Sequence, residues 1–157
     1  DLLARLRGFH AAYEPAIAAA LGDALVLAQR RRLPALDADL GVLGLDAAAL
    51  GLLPAAPAPR LDGPAAALGA LYVLEGSTLG GQVIGRRIEA LHGADAEGAC
   101  AYYRGRGERT GALWAAFRAR LEAAPGGQEA EATSRAATAT FDAMRLWLCG
   151  RAASAAA

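Results

Sequence analysis

The chain has 157 residues, enough for one domain with a substantial hydrophobic core. Hydrophobic residues make up 55% of it and charged residues 20%, which excludes an intrinsically disordered chain. Because 16 basic residues balance 16 acidic ones, there is no net charge, and a general nucleic-acid binder, which needs a basic face, is disfavoured.

Apolar residues of the first segment recur at steps of three and four from Leu2 to Leu21, which predicts one helix. Pro15 should kink or divide this helix, and Gly22-Asp23 should end it. The segment 25–32 predicts a further helix whose last turn holds three arginines, an arrangement that suits the C-terminal end of a helix dipole.

The middle of the chain predicts a short helix, a rigid loop and one long helix. Asp37 is the expected N-cap of the short helix, and the proline-rich stretch 53–64 is the loop. Asp62-Gly63-Pro64 is a helix-start pattern. The long helix should run from Ala65 to about Leu91 and end at His92-Gly93.

The last third predicts a loop over 94–100, a short helix over 101–104 that ends at Gly105, and two further helices. One opens at Thr110 and closes at Pro125-Gly126-Gly127, with its apolar stripe on Leu113, Trp114, Phe117 and Leu121. The other runs from Glu129 to Cys149, with a stripe on Ala132, Ala136, Ala139, Ala143, Leu146 or Trp147, and Leu148. No alternating strand pattern or internal repeat is present, so we expect a single all-α domain over 1–151 and a frayed Ala-rich tail over 152–157.

The long helix carries four glycines in its second half, Gly76, Gly80, Gly81 and Gly85. A glycine inside a helix costs about 1 kcal/mol relative to alanine, so four of them need a reason. One hypothesis is that a large, flat group approaches the bare backbone; packing of another helix is the alternative that the glycines alone favour. Glu75 is expected to form a salt bridge to a neighbouring helix, and its charge disfavours a membrane span.

The string "LGALYVLEGSTLGGQVIGRRI" resembles the distal helix of bacterial heme oxygenases, especially the small biliverdin-forming type associated with bacteriophytochromes. Four further strings, "FHAAYEPAI", "RRRLPALDADLGVLGL", "WAAFRARL" and "TFDAMRLWL", follow in the order that this family shows. The resemblance covers nearly the whole chain. It implies an all-α, heme-oxygenase-like multi-helix bundle with a kinked, glycine-rich distal helix.

The resemblance also implies a site on this distal helix. Gly76, Gly80 and Gly81 match the positions that approach heme and leave room for dioxygen, and Ser77 borders the distal pocket. Arg118 matches a basic position that pairs with a heme propionate, although an exposed arginine on a helix face is an equal alternative by spacing. Glu75 is given no catalytic role.

The proximal histidine of that family, on its first helix, has no counterpart in the printed sequence. His10 matches the second helix, and His92 is expected to cap the distal helix. Either the first helix is missing from the record, which the absent initiator Met and the abrupt helical start favour, or the protein has lost its ligand. His10 as a replacement metal ligand is disfavoured, because such a histidine is more often a hydrogen-bonded core residue.

The implied function is that of a heme oxygenase, which cleaves heme with dioxygen and reductant to biliverdin, carbon monoxide and ferrous iron. Heme would be both substrate and cofactor, electrons would come from a ferredoxin or flavoprotein reductase, and a bacteriophytochrome is a candidate partner. Cys100 and Cys149 lie far apart without a CxxC motif, which indicates a reduced cytoplasmic compartment. One alternative is a non-catalytic protein of the same fold that binds a tetrapyrrole or a protein partner; a plain helical interaction domain is the other.

Overall fold

The computed structural model describes residues 1–93 and 98–150, apart from the side chains of residues 24 and 25. Within these residues the regular secondary structure is entirely helical, which confirms the expected all-α class. The helices are α1 Leu2–Leu21, α2 Ala24–Ala28, α3 Leu33–Val42, α4 Ala47–Leu52, α5 Gly63–His92, α6 Arg109–Glu122 and α7 Gln128–Leu148. The predicted Ala-rich tail and most of the predicted loop 94–100 lie outside the described residues.

Glycines and prolines set several of the helix ends, as the sequence predicts. Gly22 ends α1 in a left-handed conformation with φ of 67°, which favours glycine. Pro64 lies in the first turn of α5, and Gly93 follows its last residue. Pro15 does not divide α1. It lies on the exposed side of the helix, while burial of Tyr13 and Ile17 holds the opposite face in place.

The predicted helix over 25–32 is wrong in its second half, because α2 ends at Ala28. The buried Glu14 carboxylate accepts hydrogen bonds from the backbone N–H groups of Arg32 and Leu33 at 2.7 and 3.0 Å. These bonds fix the start of α3 at Leu33. Asp37 therefore lies inside α3 and is not its N-cap; its carboxylate accepts a hydrogen bond from Arg7 Nε at 2.6 Å instead.

The segment 100–105 forms turns where a short helix was predicted. The buried Asp39 carboxylate accepts the backbone N–H groups of Ala101 and Tyr102 at 2.7 and 2.8 Å. The Arg32 guanidinium donates to the carbonyl oxygens of Ala101, Tyr102 and Gly105. Side chains from α3 and its N-cap therefore satisfy backbone groups that a helix would pair internally.

The core is built around α5, which contacts α1, α6 and α7. Its main cluster includes Phe9 and Ile17 from α1, Leu71 and Leu74 from α5, and Phe117 from α6. Burying each side chain of this size contributes about 1.5–3 kcal/mol relative to exposure. These contacts make α5 the helix against which α1, α6 and α7 pack, whereas α2 and α3 pack on α1.

The last helix packs closely on α5. A Cβ placed on Gly69 would collide with the backbone oxygen of Thr133, so this glycine allows the two helix backbones to approach. Of the stripe predicted for α7, Ala139 and Leu146 are exposed, whereas Thr140 and Met144 are the buried residues. The stripe follows Trp147 rather than Leu146, because the Trp147 indole N–H donates to the Arg5 carbonyl at 2.6 Å and joins the last helix to the first.

In the described ranges, no helix is both long and apolar enough to span a bilayer.

Candidate functional site

An apolar groove of about 390 Å³ lies where α5, the start of α6 and the end of α7 meet. We call it the α5 groove. Most of the residues that line it have apolar or aromatic side chains. The lining residues are Tyr72, Val73, Gly76, Ser77, Leu79, Trp114, Phe141 and Met144. Phe141 and Tyr72 are 61% and 44% exposed, so large apolar surface is open to a ligand here.

Gly76 gives this groove its bare backbone, and Gly80 lies just beyond the lining residues. The two glycines lie one helical turn apart on one face of α5. A Cβ on Gly76 would come no closer than 3.8 Å to the Trp114 ring, and a Cβ on Gly80 would meet nothing within 4 Å. No protein group in the described structure requires glycine at either position. The space in front of them is available to a ligand.

Gly81 and Gly85 lie on a different face of the same helix. A Cβ on Gly81 would lie 3.3 Å from the Tyr103 carbonyl oxygen, and one on Gly85 would lie 3.0 Å from the Tyr103 Cβ. These two glycines let the segment 100–105 pack against α5. The structure thus separates Gly81 from Gly76 and Gly80, with which the resemblance groups it, and gives it the packing environment that was the alternative.

Ser77 brings a hydroxyl group to the wall of the α5 groove. Its Oγ donates a hydrogen bond to the Leu74 carbonyl at 2.7 Å, which leaves the oxygen free to accept a further bond. Thr78 makes the equivalent bond to the Glu75 carbonyl at 2.6 Å but is buried on the inner side of the helix. Ser77 is therefore a small polar side chain that α5 offers to a ligand in this groove, beside the larger Tyr72.

Arg118 lies one turn beyond Trp114 on α6 and does not line the α5 groove. Its guanidinium is 59% exposed and contacts the Glu122 carboxylate at 3.2 Å, in an i,i+4 pair. This is the environment of the exposed helix-face arginine that the sequence allowed. An exposed pair of this kind contributes little to stability, so Arg118 can exchange partners at low cost.

Glu75 forms a salt bridge as expected, but with two partners, and neither lies on a neighbouring helix. Its carboxylate is almost fully buried and contacts Arg30 Nη1 at 2.5 Å and Arg106 Nη2 at 3.1 Å. Both arginines lie in connections between helices. The ion pair ties the segments before α3 and α6 to the middle of α5, on the side away from the groove.

His10 is fully buried, and both of its ring nitrogens have partners. Nδ1 lies 2.9 Å from Glu14 Oε1, and Nε2 lies 3.1 Å from the Tyr102 hydroxyl. This confirms the interpretation of His10 as a hydrogen-bonded core residue. Neither nitrogen is open to an additional ligand.

The two partners of His10 have shifted pKa values. Burial raises the pKa of Glu14. The hydrogen bond and charge of His10, together with two backbone N–H groups, lower that pKa by more, so the net shift is downward. Burial raises the pKa of Tyr102, while a hydrogen bond with the Ser77 hydroxyl acts in the opposite direction. A line of buried polar groups therefore runs from α1 to Tyr102 in the segment 100–105.

The sequence indicates the contact between His10 and Glu14 but does not indicate the contact between His10 and Tyr102. His10 and Glu14 have i,i+4 spacing on one helix, which brings the two side chains together. Tyr102 is 92 residues from His10 and lies in a segment whose shape depends on Asp39 and Arg32. Sequence analysis consequently missed Tyr102.

No imidazole lines the α5 groove. His92 is the last residue of α5 and lines a separate groove of about 480 Å³ with Leu3, Leu40 and Tyr103. Over residues 1–93 and 98–150, no group of three or more His, Cys, Asp and Glu side chains is placed to hold a metal ion. The groove thus offers one apolar face and the hydroxyl groups of Ser77 and Tyr72, without an imidazole.

Comparison with known proteins finds a local similarity. A stretch of 59 residues is 49% identical to a heme oxygenase from Xanthomonas campestris pv. campestris (strain 8004). It covers 38% of this chain and 32% of the relative, so the match spans about a third of the relative's length. No family model matches the chain, and no solved structure matches it significantly. The similarity supports a relationship with heme-oxygenase-like proteins, in agreement with the all-α fold.

Proposed function

We propose that this protein is a heme oxygenase, which binds heme in the α5 groove and cleaves it with dioxygen and reductant to biliverdin, carbon monoxide and ferrous iron. The observation that carries the proposal is the open glycine face of α5. Gly76 presents bare backbone to the apolar groove, and Gly80, one turn further along the same face of α5, is exposed and has no protein group in front of it. The local similarity to a heme oxygenase supports the same assignment.

The residues of the groove fit one face of heme. A flat apolar macrocycle requires a wide apolar wall, which Trp114, Phe141 and Met144 supply, and a helix that it can approach closely. The described residues do not supply an axial histidine, because His10 is occupied and His92 lines another groove. We therefore propose that the axial ligand comes from outside the printed sequence.

The side chains of this chain would bind, orient and shield the ligand. When bound, heme supplies the iron chemistry that activates dioxygen. Gly76 and Gly80 would keep volume free beside the macrocycle, and Ser77 would offer a hydrogen bond at the border of that volume. Gly81 would act indirectly, by letting the segment 100–105 pack behind the helix. Arg118 would leave Glu122 to pair with a propionate.

The other partners follow from the same proposal. Electrons would come from a ferredoxin or a flavoprotein reductase, and biliverdin would pass to a bacteriophytochrome. Both exchanges would take place in the cytoplasm. These proposals are supported by the resemblance of the α5 sequence.

A non-catalytic tetrapyrrole-binding protein is the second candidate. It is favoured by one observation, the lack of an imidazole on the α5 groove. Such a protein would need the apolar face of the groove but no axial ligand. Turnover distinguishes the two candidates.

The test is a heme titration of the protein, followed by addition of a reductant under air. A heme oxygenase gives a Soret band and then the absorbance of biliverdin, whereas a binding protein gives the first without the second. Absence of any heme binding by a protein that includes its native N-terminal sequence would contradict both candidates.

Gly80→Leu tests the position of the site. A leucine side chain would fill the open space in front of Gly80, so we expect turnover to fall by at least about 100-fold, the scale on which misplacement of reacting groups acts. The helical circular dichroism should stay unchanged, because the added atoms meet no protein group. Gly41→Leu is the matched control: Gly41 is an exposed glycine in α3 that also has nothing within 4 Å, and this variant should keep full activity.

A further inference from the structure

The glycine-rich half of α5 packs against one segment of turns. This segment, residues 100–107, is called the strap below. A Cβ on Gly81 would lie 3.3 Å from the Tyr103 carbonyl oxygen, and one on Gly85 would lie 3.0 Å from the Tyr103 Cβ. The strap therefore lies directly on the bare backbone of α5, on a different face of the helix from Gly76.

Two ion pairs hold the strap to both ends of this glycine-rich stretch. Arg106 Nη2 lies 3.1 Å from the Glu75 carboxylate, and Arg104 Nη2 lies 2.9 Å from the Glu89 carboxylate. From Glu75 to Glu89 the helix makes about four turns. The strap thus supports α5 along the whole stretch that contains the four glycines.

Arg32 holds the strap from the side away from α5. This residue is only 5% exposed, and an arginine so deeply buried is usually paired with a carboxylate. Its Nη atoms donate instead to three strap carbonyls, those of Ala101, Tyr102 and Gly105, at 3.1, 2.5 and 2.9 Å. Its Nε has no hydrogen-bond partner in the described part of the chain. Every hydrogen bond that this guanidinium makes there goes to the strap.

The position of Arg32 is itself fixed by α1. The buried Glu14 carboxylate accepts the Arg32 backbone N–H at 2.7 Å, so the guanidinium starts from a rigid point. Asp39 also binds the strap, but only at its first end, through the backbone N–H groups of Ala101 and Tyr102. Arg32 reaches Gly105 as well and therefore determines the shape of the whole turn.

We propose that Arg32 is a positioning residue for the α5 groove, which acts through the strap and contacts no ligand. Gly81 and Gly85 face the strap, while Gly76, which lines the groove, lies on the open side of the same helix. Because a glycine-rich helix bends easily, this part of α5 keeps its place only while the strap supports it. Arg32 therefore keeps the bare backbone of α5 where a flat ligand can lie against it. This role rests on the proposed function, since it concerns the ligand that α5 binds.

Arg32→Gln is the variant to test, because its shorter, uncharged side chain cannot reach the three strap carbonyls together. Ile17→Val is the matched control for a general loss of stability. Ile17 is fully buried in the main core cluster, which does not include Tyr102 or Tyr103 of the strap. Arg32→Lys keeps the charge but not the planar group, so its effects should lie between those of Arg32→Gln and the parent. It replaces Arg32→Gln in both readouts if that variant does not fold.

The first readout is amide hydrogen exchange of the heme-free protein. In Arg32→Gln, the amides of residues 79–87 should exchange at least about 10-fold faster than in the parent, because a loosened strap lets this part of α5 open locally. The amides of residues 66–72, in the other half of α5, should keep their parental rates. Ile17→Val should not accelerate the first range more than the second. Unchanged rates over 79–87 in Arg32→Gln, or an equal rise over both ranges, would overturn the proposal.

The second readout is heme affinity. The dissociation constant should rise by about 10-fold in Arg32→Gln, the effect expected when only about a tenth of the protein keeps the binding-competent α5. Ile17→Val should bind heme as the parent does. Parental affinity in Arg32→Gln would show that the strap does not position the ligand site. Failure of the parent protein to bind heme would instead overturn the proposed function, and the heme-free exchange would still decide whether Arg32 holds α5 in place.

Discussion

Among single residues, Glu75 has the most demanding environment. A carboxylate buried this completely is costly to desolvate, and two arginines with side chains only 10% and 11% exposed compensate for it. Removing the carboxylate charge would leave those two cations buried with weaker partners. The stability lost on such a substitution therefore comes mainly from the uncompensated charge of the buried arginines, and not from the lost attraction within the ion pair.

Glu75→Gln should lower the free energy of unfolding by about 3 kcal/mol, the size observed when one partner of a buried ion pair is removed. Urea unfolding followed by circular dichroism measures this change. Glu122→Gln is the control, because Glu122 pairs with Arg118 on the surface, and it should change stability by less than about 0.5 kcal/mol. Equal effects of the two substitutions would show that Glu75 is solvated.

Residue-level prediction from sequence succeeded where partners are local. The spacing of His10 and Glu14 and the odd position of Glu75 in an apolar stretch are visible along one helix. The partners of Glu75 were not visible, because Arg30 is 45 residues away and Arg106 is 31 residues away. Both arginines lie in connections between helices, so the helical periodicity of the sequence does not identify them as partners of Glu75.

At the level of elements, α5 separates its glycines into two groups. Gly69, Gly81 and Gly85 face neighbouring backbone, where a side chain would collide or crowd. Gly76 and Gly80 face open space or the edge of a ring. Only the first group is needed for packing, so the two groups should respond in opposite ways to alanine.

Gly69→Ala should destabilise the protein by about 1–3 kcal/mol, because the new methyl group must push α7 away from α5. Gly80→Ala should stabilise it by up to about 1 kcal/mol, because alanine is the better helix former and nothing obstructs its methyl group. Thermal unfolding of both variants and of the parent protein shows whether each substitution lowers or raises the stability. A loss of stability in Gly80→Ala would mean that a protein group lies in front of Gly80.

The helix boundaries predicted from glycine, proline and apolar periodicity agree with the structure for α1, α5, α6 and α7. The main errors fall at 29–37 and 101–105, where Glu14, Asp39 and Arg32 bond to backbone groups, and α4 was not predicted. A propensity argument cannot detect this competition, since it depends on side chains brought in from distant segments. The same segments carry Tyr102, so the error in local structure and the missed residue have one cause.

For the whole molecule, the buried tyrosines make the free energy of unfolding decrease at high pH. Burial, the main cause, raises the pKa of Tyr103 from 10.0 to about 12, and nearby Tyr102 adds to the shift. The Tyr103 hydroxyl therefore loses its proton at a lower pH in the unfolded chain than in the folded protein. The stabilisation is fully present below pH 10 and is lost as the pH rises through about 12.

Tyr103→Phe should reduce this alkaline loss. One ionisable group contributes at most about 1.4 kcal/mol per pH unit to the slope of the unfolding free energy. Urea unfolding at several pH values above 10 should give a shallower slope for the variant than for the parent. A Tyr103→Phe slope equal to that of the parent would show that Tyr103 titrates alike in the folded and unfolded chains.

The sequence was sufficient to predict the all-α class, and the resemblance of α5 indicated which helix to examine. It was not sufficient to predict the α5 groove, which depends on Trp114 and Phe141 from two other helices meeting opposite Gly76. Nor could it separate Gly81 from Gly80, because adjacent glycines differ only in what faces them. Assembly of the site is a property of the packed bundle.

The contact between Trp147 and Arg5 has a consequence for synthesis of the protein. The indole N–H reaches the Arg5 carbonyl, and the Arg5 guanidinium reaches the Trp147 carbonyl at 3.0 Å, across 142 positions of sequence. During translation, α1 and α5 emerge early, with apolar surface that α7 will later cover. The nascent chain must keep that surface from aggregating until Trp147 has left the ribosome, and a chaperone is expected to be needed more by the chain in synthesis than by the finished protein.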